Sequence, residues 1–437
     1  MAIKLNRRSC FYILLTVLCL LLLVRYSFRI EIPRIVLTAI IIIIAFIGDK
    51  NEILAITIGC IPLQNAIDFY ICLMICAVIL VFKNYKQVKI GYAVLLVAGM
   101  IIWELVHCFF FDYSPKLLLV SLVPLIFIAV ILSTDIKGND YAFIVRIMAL
   151  LTCYMCIIVL ITNIVSADGN IMKAFVNLRR LGILSEEETL LGGEINPNSL
   201  GIVNVLGITG ILQIRALGQK KRSDIVLVFI MLVFGMLTLS RTFLVCLAVM
   251  FVLVLFGQRN DLKKTVSILG GTVIICVALI AVTSWLFPEL LENFFERFQV
   301  KDITTGRIDI MGAYHEYIVN NPEVMGFGIG LTDFNERITG AYSISRHVPH
   351  NSIQEIILCW GIPGLLMIIL MVFVMIVQAK RYGKKKMLLN YIPLIIILVK
   401  AMAGQLLTSG YTLLALVFAY LSLCQNFSDT KKEKLSL

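Results

Sequence analysis

Apolar runs long enough to approach the thickness of a bilayer recur along this chain, separated by short polar segments, and nothing constrains its fold more. A helix needs roughly 20 apolar residues to cross the hydrocarbon core, fewer when it is re-entrant. On that criterion segments fall near 10–24, 35–47, 53–64, 66–82, 90–111, 116–132, 141–165, 199–215, 225–239, 242–257, 265–287, 352–377, 388–408 and 411–426. Those at 35–47 and 53–64 are short enough to be half-helices or to be lengthened by their polar flanks, so the sequence predicts 12–14 transmembrane helices. With 60% hydrophobic residues, 15% charged and a mean hydropathy of +0.96 over 437 residues, no soluble domain of ordinary size fits. The expected class is an all-α polytopic membrane protein. The first run, Cys10 to Val24, follows Lys4, Arg7 and Arg8 like a signal peptide but lacks a small-residue cleavage site, so it reads as a retained first helix.

Charge orients the chain. The N-terminal basic residues, KNYKQVK (83–89), KKR (220–222), Lys263, Lys264, KRYGKKK (380–386) and KKEK (431–434) all fall on one side of this arrangement, which the positive-inside rule makes cytoplasmic. Both termini are then cytoplasmic. The net charge of +11 is mostly this topological signal and does not point to nucleic acid, which wants charge gathered on one folded face. The opposite side is richer in arginine than lysine. Arg25, Arg29 and Arg34 fit interfacial anchors that snorkel to headgroups. Topology gives no reason for Arg179, Arg180, Arg241, Arg297, Arg307, Arg337 and Arg346 to be arginine, whereas bidentate pairing with phosphate or carboxylate does.

The 12 cysteines lie in or beside apolar segments, and the CxxC at Cys153 and Cys156 falls inside a span, where packing explains it better than metal or redox work. Asp68, Glu104, His107, Arg146 and Lys400 are ionisable residues within apolar runs, and Glu104 and His107 stand one helical turn apart. They form either a polar site or a structural pair between helices.

Two segments interrupt the spans on the non-cytoplasmic side, 166–198 and the longer stretch to Asn351. The chain therefore divides into 1–287, membrane helices with the first of these loops; 288–351, a large extracytoplasmic loop with short helices; and 352–437, further membrane helices and a cytoplasmic tail. The large loop opens with PELLENFFERFQ, whose apolar and charged residues separate onto two helical faces, as in a helix lying in the interface. In TTGRIDIMGAYHEYIVNNP, Ile308, Met311, Tyr314 and Ile318 recur at helical spacing, Thr305 can cap the start and Asn-Pro ends the helix. GFGIG follows as a flexible connection, with neither the preceding strand nor the Lys-Ser/Thr of a phosphate loop.

The segment PHNSIQE (349–355) enters a long apolar helix. Ser352 and Glu355 make a capping-box pattern that starts this helix at Ser352, with His350 just before its positive end. The alternative reading takes Pro349, His350 and Asn351 as a loop end and helix cap. A metal pair of His347 and His350 lacks a third ligand of fixed spacing. Ser240, Arg241 and Thr242 interrupt two apolar runs, placing Arg241 near the outer surface, where a charge is a functional candidate. Arg241, Arg307 and His350 thus converge on one side as two cations and a proton-transfer group. That set suits a ligand carrying phosphates and a reacting hydroxyl.

SRT (240–242), TGR (305–307), GFGIG (326–330), PHNSIQEIILCWGIPG (349–364) and NPNSLG (196–201) together resemble the O-antigen ligase and polymerase (Wzy-type) superfamily of bacterial membrane glycosyltransferases. The resemblance covers roughly residues 190 to 365. It implies a GT-C-type, metal-independent enzyme of the bacterial cytoplasmic membrane, without cofactor, using an undecaprenyl-pyrophosphate-linked glycan donor. It implies that Arg241 and Arg307 hold the pyrophosphate, that His350 assists deprotonation of the acceptor hydroxyl, and that Asn198 and Asn351 contact substrate. Lipid-linked oligosaccharide, membrane lipid and other assembly proteins, such as a flippase and a chain-length regulator, are the implied partners. The favoured activity is a polymerase of O-antigen or capsule; a ligase moving the finished chain to another acceptor is the alternative. A lipid-linked oligosaccharide transporter is a third reading, against which stand the long loop and the lack of an evident internal repeat.

Overall fold

The computed structural model describes residues 6–111, 115–134, 140–171, 173–174, 180–183, 195–257, 307–331, 349–382, 388–407 and 410–425, with isolated positions between 281 and 292. The predicted span 265–287, the interfacial stretch 288–299, Thr305 and His347 lie outside the continuously described segments. Among the described residues the regular structure is helical, apart from one antiparallel bridge between Ile183 and Ile195. The helices in chain order are α1 (Arg7–Ser27), α2 (Arg34–Ile47), α3 (Lys50–Gly59), α4 (Phe69–Asn84), α5 (Tyr92–Phe110), α6 (Pro115–Ser133) and α7 (Tyr141–Ser166). After the bridge come α8 (Pro197–Ala216), α9 (Ser223–Leu237) and α10 (Arg241–Gly257), then α11 (Arg307–Asn320), α12 (Pro322–Gly326), α13 (Ser352–Ala379), α14 (Leu388–Ala401) and α15 (Gly410–Leu423). Among the described residues seven helices are long and apolar enough to cross a membrane, and further shorter apolar helices accompany them. The protein is a multi-pass membrane protein.

The polarity of the outside supports that solvent. Ile13, Phe82, Ile102, Phe109, Val226 and Phe373 are exposed on helix flanks, a distribution that water would penalise and lipid accepts. Inside, α8 runs through the centre of the bundle against α7, α9, α10 and α14. Its polar side chains are satisfied by neighbouring helices: Gln213 Nε2 donates to the Leu389 carbonyl (2.6 Å) and to Ser422 Oγ (2.7 Å), while its Oε1 accepts from the Tyr141 hydroxyl (2.5 Å). Such bonds join helices where no hydrophobic driving force separates them from lipid. The buried Asp224 of α9 pairs with Arg146 of α7 at 2.9 Å. Cys153 Sγ meets the Leu227 carbonyl and Cys156 Sγ the Asn204 side chain, both within helix packing. Arg25, expected as an interfacial anchor, is instead buried and donates to the Ala66 carbonyl at 2.9 Å. That bond supplies the partner a guanidinium needs away from water.

The sequence predicts one continuous helix over 352–377, and the structure breaks it. Gly361 has φ 69° and ψ −173°, a conformation essentially restricted to glycine, and Pro363 lacks the N–H that would reach the Cys359 carbonyl. The carbonyls before the break find other donors. Ile329 N–H bonds Leu358 O (2.7 Å), Gly330 N–H bonds Cys359 O (3.0 Å), and the Trp103 indole of α5 bonds Trp360 O (3.1 Å). GFGIG is therefore a packed strap, not the flexible connection its composition predicts. Gly328, at φ 85°, leaves space for the Cys359 carbonyl, from which an added Cβ would stand 2.5 Å. Phe327 stacks on the His107 ring (centroids 4.4 Å apart), and its carbonyl meets His107 Nε2 at 2.7 Å. Glu104, one turn away on α5, accepts the Trp360 indole N–H. Glu104 thus meets α13 beside its break, and His107 meets the strap that crosses it.

Candidate functional site

Four chain segments meet at one end of the bundle. The turn between α9 and α10 is built by its own hydroxyls. Thr238 Oγ1 donates to the Gly235 carbonyl (2.6 Å) and accepts the Ser240 amide (3.3 Å), and Leu239 adopts φ 47°, unusual for a residue with a Cβ. Ser240 Oγ accepts the amide of Phe243 at 3.3 Å and so caps α10, leaving Arg241 as its first residue. Burial and, to a smaller extent, the charge of Arg241 hold the Arg307 guanidinium below its ordinary value. The two arginines are thus electrostatic neighbours although 65 residues of sequence lie between them. Among the described residues no carboxylate pairs with Arg307.

Arg307 opens α11, which is held against α13 by Gln354, whose Nε2 donates to the Met311 carbonyl at 2.8 Å. The buried face of α11 is Ile310, Tyr314 and Ile318, not the predicted set beginning at Ile308, which is exposed. Tyr314, common to both sets, is fully buried. Helix α11 ends at Asn320, ahead of Asn321-Pro322, as expected.

Helix α13 begins at Ser352, as the sequence predicts, but its cap is different. Asn351 Oδ1 accepts the amides of Ile353 (2.8 Å) and Gln354 (3.5 Å), so Asn351 and not Ser352 is the cap. Ser352 Oγ instead donates to the Gly404 carbonyl (2.8 Å), and Glu355 Oε2 accepts the amides of Leu406 (2.6 Å) and Leu407 (3.2 Å). Both side chains of the supposed capping box thus tie the start of α13 to the loop joining α14 and α15. A carboxylate accepting two buried amides is well satisfied, and so are the amides.

The bridge between Ile183 and Ile195 brings a fourth segment to the same place. Pro197 is the first residue of α8, whose cap Asn196 accepts the Asn198 amide at 2.9 Å. Asn198 Oδ1 accepts from Arg180 Nη2 (2.5 Å) and from Ser240 Oγ (3.0 Å), while Arg180 Nε donates to the Thr238 carbonyl (3.2 Å). Asn198 therefore joins the start of α8 to the turn that presents Arg241.

These connections enclose a pocket of about 150 Å³ lined by Asn198, Thr242, Arg307, His350, Lys400 and Tyr411, among others. The predicted site residues Arg307, His350 and Asn198 line this pocket; Arg241 and Asn351 are not among its lining residues, Arg241 preceding the lining Thr242 and Asn351, the buried cap of α13, following His350. Sequence reasoning missed two contributors. Arg180 was one of several outer arginines, and only the Ile183–Ile195 pairing brings it to Asn198. Lys400 reads as an ionisable residue within an apolar run; its place in the pocket follows from the return of α14 beside α10.

The class so defined is an apolar, multi-pass helix bundle that gathers arginine, lysine and histidine around a polar pocket at one end. Residues 226–369, which include Arg241, Arg307, His350 and the glycine strap, match the sequence family described as O-Antigen ligase. That match covers part of the chain and supports a likeness to the O-antigen ligase and polymerase superfamily. No curated protein matches the chain.

Proposed function

We propose that the protein transfers a glycan from a polyprenyl-diphosphate donor, undecaprenyl pyrophosphate in bacteria, to a hydroxyl of a second lipid-linked repeat unit, and so polymerises a surface polysaccharide at the outer face of the cytoplasmic membrane. The observation that carries this reading is the pocket shared by Arg307 and His350, with Arg241 electrostatically coupled to Arg307.

The chemistry follows from those groups. The acceptor oxygen attacks the anomeric carbon while His350 takes its proton, and the bond from that carbon to the diphosphate oxygen breaks with its electron pair. The departing diphosphate gains one negative charge. Guanidinium groups placed at that oxygen stabilise the transition state more than the bound donor, and only such differential stabilisation speeds the step. Imidazole is the side chain that exchanges protons most readily near neutral pH. The enrichment of lysine in the loops read as cytoplasmic supports a pocket that opens on the opposite side of the membrane.

The family description favours a second reading, a ligase that moves the completed polymer to a different acceptor. Purified protein in liposomes given only lipid-linked repeat units distinguishes the two. A ladder of lengths, absent with His350→Ala, supports the polymerase. Transfer that occurs only after another acceptor is added supports the ligase, and no transfer to any acceptor removes the glycosyltransferase reading.

A further inference from the structure

We propose that Lys400 is a third cationic ligand of the donor's diphosphate, completing with Arg241 and Arg307 a three-cation cradle. The inference rests on the donor reading above and assigns a residue outside the matched stretch 226–369.

Lys400 is the penultimate residue of α14, its side chain is buried, and it lines the same pocket as Arg307 and His350. Its ammonium is held in place by the Gln405 carbonyl and by Thr412 Oγ1 (2.7 Å), and lies 5.1 Å from the centre of the Tyr411 ring. Those contacts fix a cation without neutralising it. An ammonium has three N–H donors and these bonds use two. Among the described residues no carboxylate pairs with Lys400. A charge so buried is costly unless an anion completes its surroundings, and the pocket is where that anion has room.

A purely structural duty for Lys400 is the competing explanation, since a lysine near a helix C-terminus favours the dipole and can bond loop carbonyls. The loop it would hold is already tied to α13 by Ser352 at Gly404 and by Glu355 at Leu406 and Leu407. Those ties set the distance between Lys400 and His350. Charge balance points the same way: as the glycosyl bond breaks the diphosphate gains a negative charge, and a third cation meets it. A compact ammonium beside two planar guanidinium groups gives the cradle one point charge and two forks.

The test uses the full chain in detergent or nanodiscs with inorganic pyrophosphate and inorganic phosphate as probes. Binding is followed for wild type, Lys400→Gln, Arg307→Gln and Thr412→Val. Lys400→Gln retains a donor for the Gln405 carbonyl, and Thr412→Val removes one bond of the amine without removing its charge. The proposal expects Lys400→Gln to weaken pyrophosphate by ~10-fold or more, as loss of a charge-assisted hydrogen bond does, and Thr412→Val, which keeps the charge but loses one of its two fixing contacts, to weaken it less. Lys400→Gln binding pyrophosphate as wild type does, while Arg307→Gln does not, overturns the role of Lys400 and leaves the donor reading standing. A wild type indifferent to pyrophosphate overturns both. If Lys400→Gln does not fold, a map of the wild type with pyrophosphate decides: density within hydrogen-bond distance of Lys400 Nζ supports the cradle, and density seated on the arginines alone overturns it.

Discussion

Glu355 on the first turn of α13 accepts the backbone amide of Leu406 at 2.6 Å, across 51 positions of sequence, and the Leu407 amide shares the same oxygen at 3.2 Å. This carboxylate fixes the helix start that carries His350 to the loop that follows Lys400. Glu355→Leu strands two buried amides at a cost of ~1–3 kcal/mol each, and it should lower both thermal stability and turnover. Glu355→Gln keeps an acceptor oxygen and should recover most of both. Denaturation of purified protein and the ladder assay check the pair; equal loss in Gln and Leu variants would contradict a hydrogen-bonding role.

His350→Ala should reduce turnover by ~10²–10⁴-fold, the usual contribution of a general base, while leaving pyrophosphate binding within a few-fold of wild type. Product formation against time and direct binding of the probe separate the two effects. A variant that retains turnover removes the general-base assignment.

Arg241→Lys and Arg307→Lys should each lower kcat by ~10²-fold or more, because a point charge cannot reproduce a bidentate fork at the oxygen where charge develops. The discriminating readout is the split between kcat and KM with the lipid-linked donor. An effect on KM alone would make these residues uniform binders of the donor.

Asn198→Leu removes the acceptor shared by Arg180 and Ser240 and should cost ~1–3 kcal/mol in stability. Because Ser240 caps α10, the variant should also impair activity through the placement of Arg241. Ser240→Ala on the same background should add little further loss, since the two residues act in one network. Full additivity of the double variant would show them to be independent.

Gly328→Ala should destabilise the fold by ~2 kcal/mol or more, as both a positive φ and the Cys359 carbonyl oppose a side chain there. Glu104→Gln, which keeps an acceptor for the Trp360 indole, should be tolerated with activity intact. A transporter that used Glu104 as a titrating site would lose function in that variant, so glycan transfer and flipping assays on it separate the two classes.

The described helices are legible because apolar length and periodicity are local properties, and the start of α13 is legible because polar residues interrupt the apolar pattern there. The cap of α13 was not, since Asn351 and Ser352 both offer an acceptor and only the Gly404 carbonyl explains why Ser352 turns elsewhere. The face of α11 was misjudged for a related reason: spacing from Ile308 and spacing from Ile310 both reach Tyr314 and Ile318, and the partner helix decides. Arg307 and His350 stood out as charged or titratable groups at helix starts. Lys400 did not, because nothing within α14 reveals which neighbour its amine meets.

The strap of GFGIG across the break in α13 has a consequence for how such proteins can be recombined. Half of the joint, the donors Ile329 and Gly330, belongs to the polar loop, and the other half, the carbonyls of Leu358 and Cys359, belongs to an apolar helix. A chimera that exchanges the loop for that of another enzyme while keeping the host helix inherits one side of a mated pair. Specificity grafting in this protein therefore has to cut after Pro363, not at the apparent boundary of the membrane.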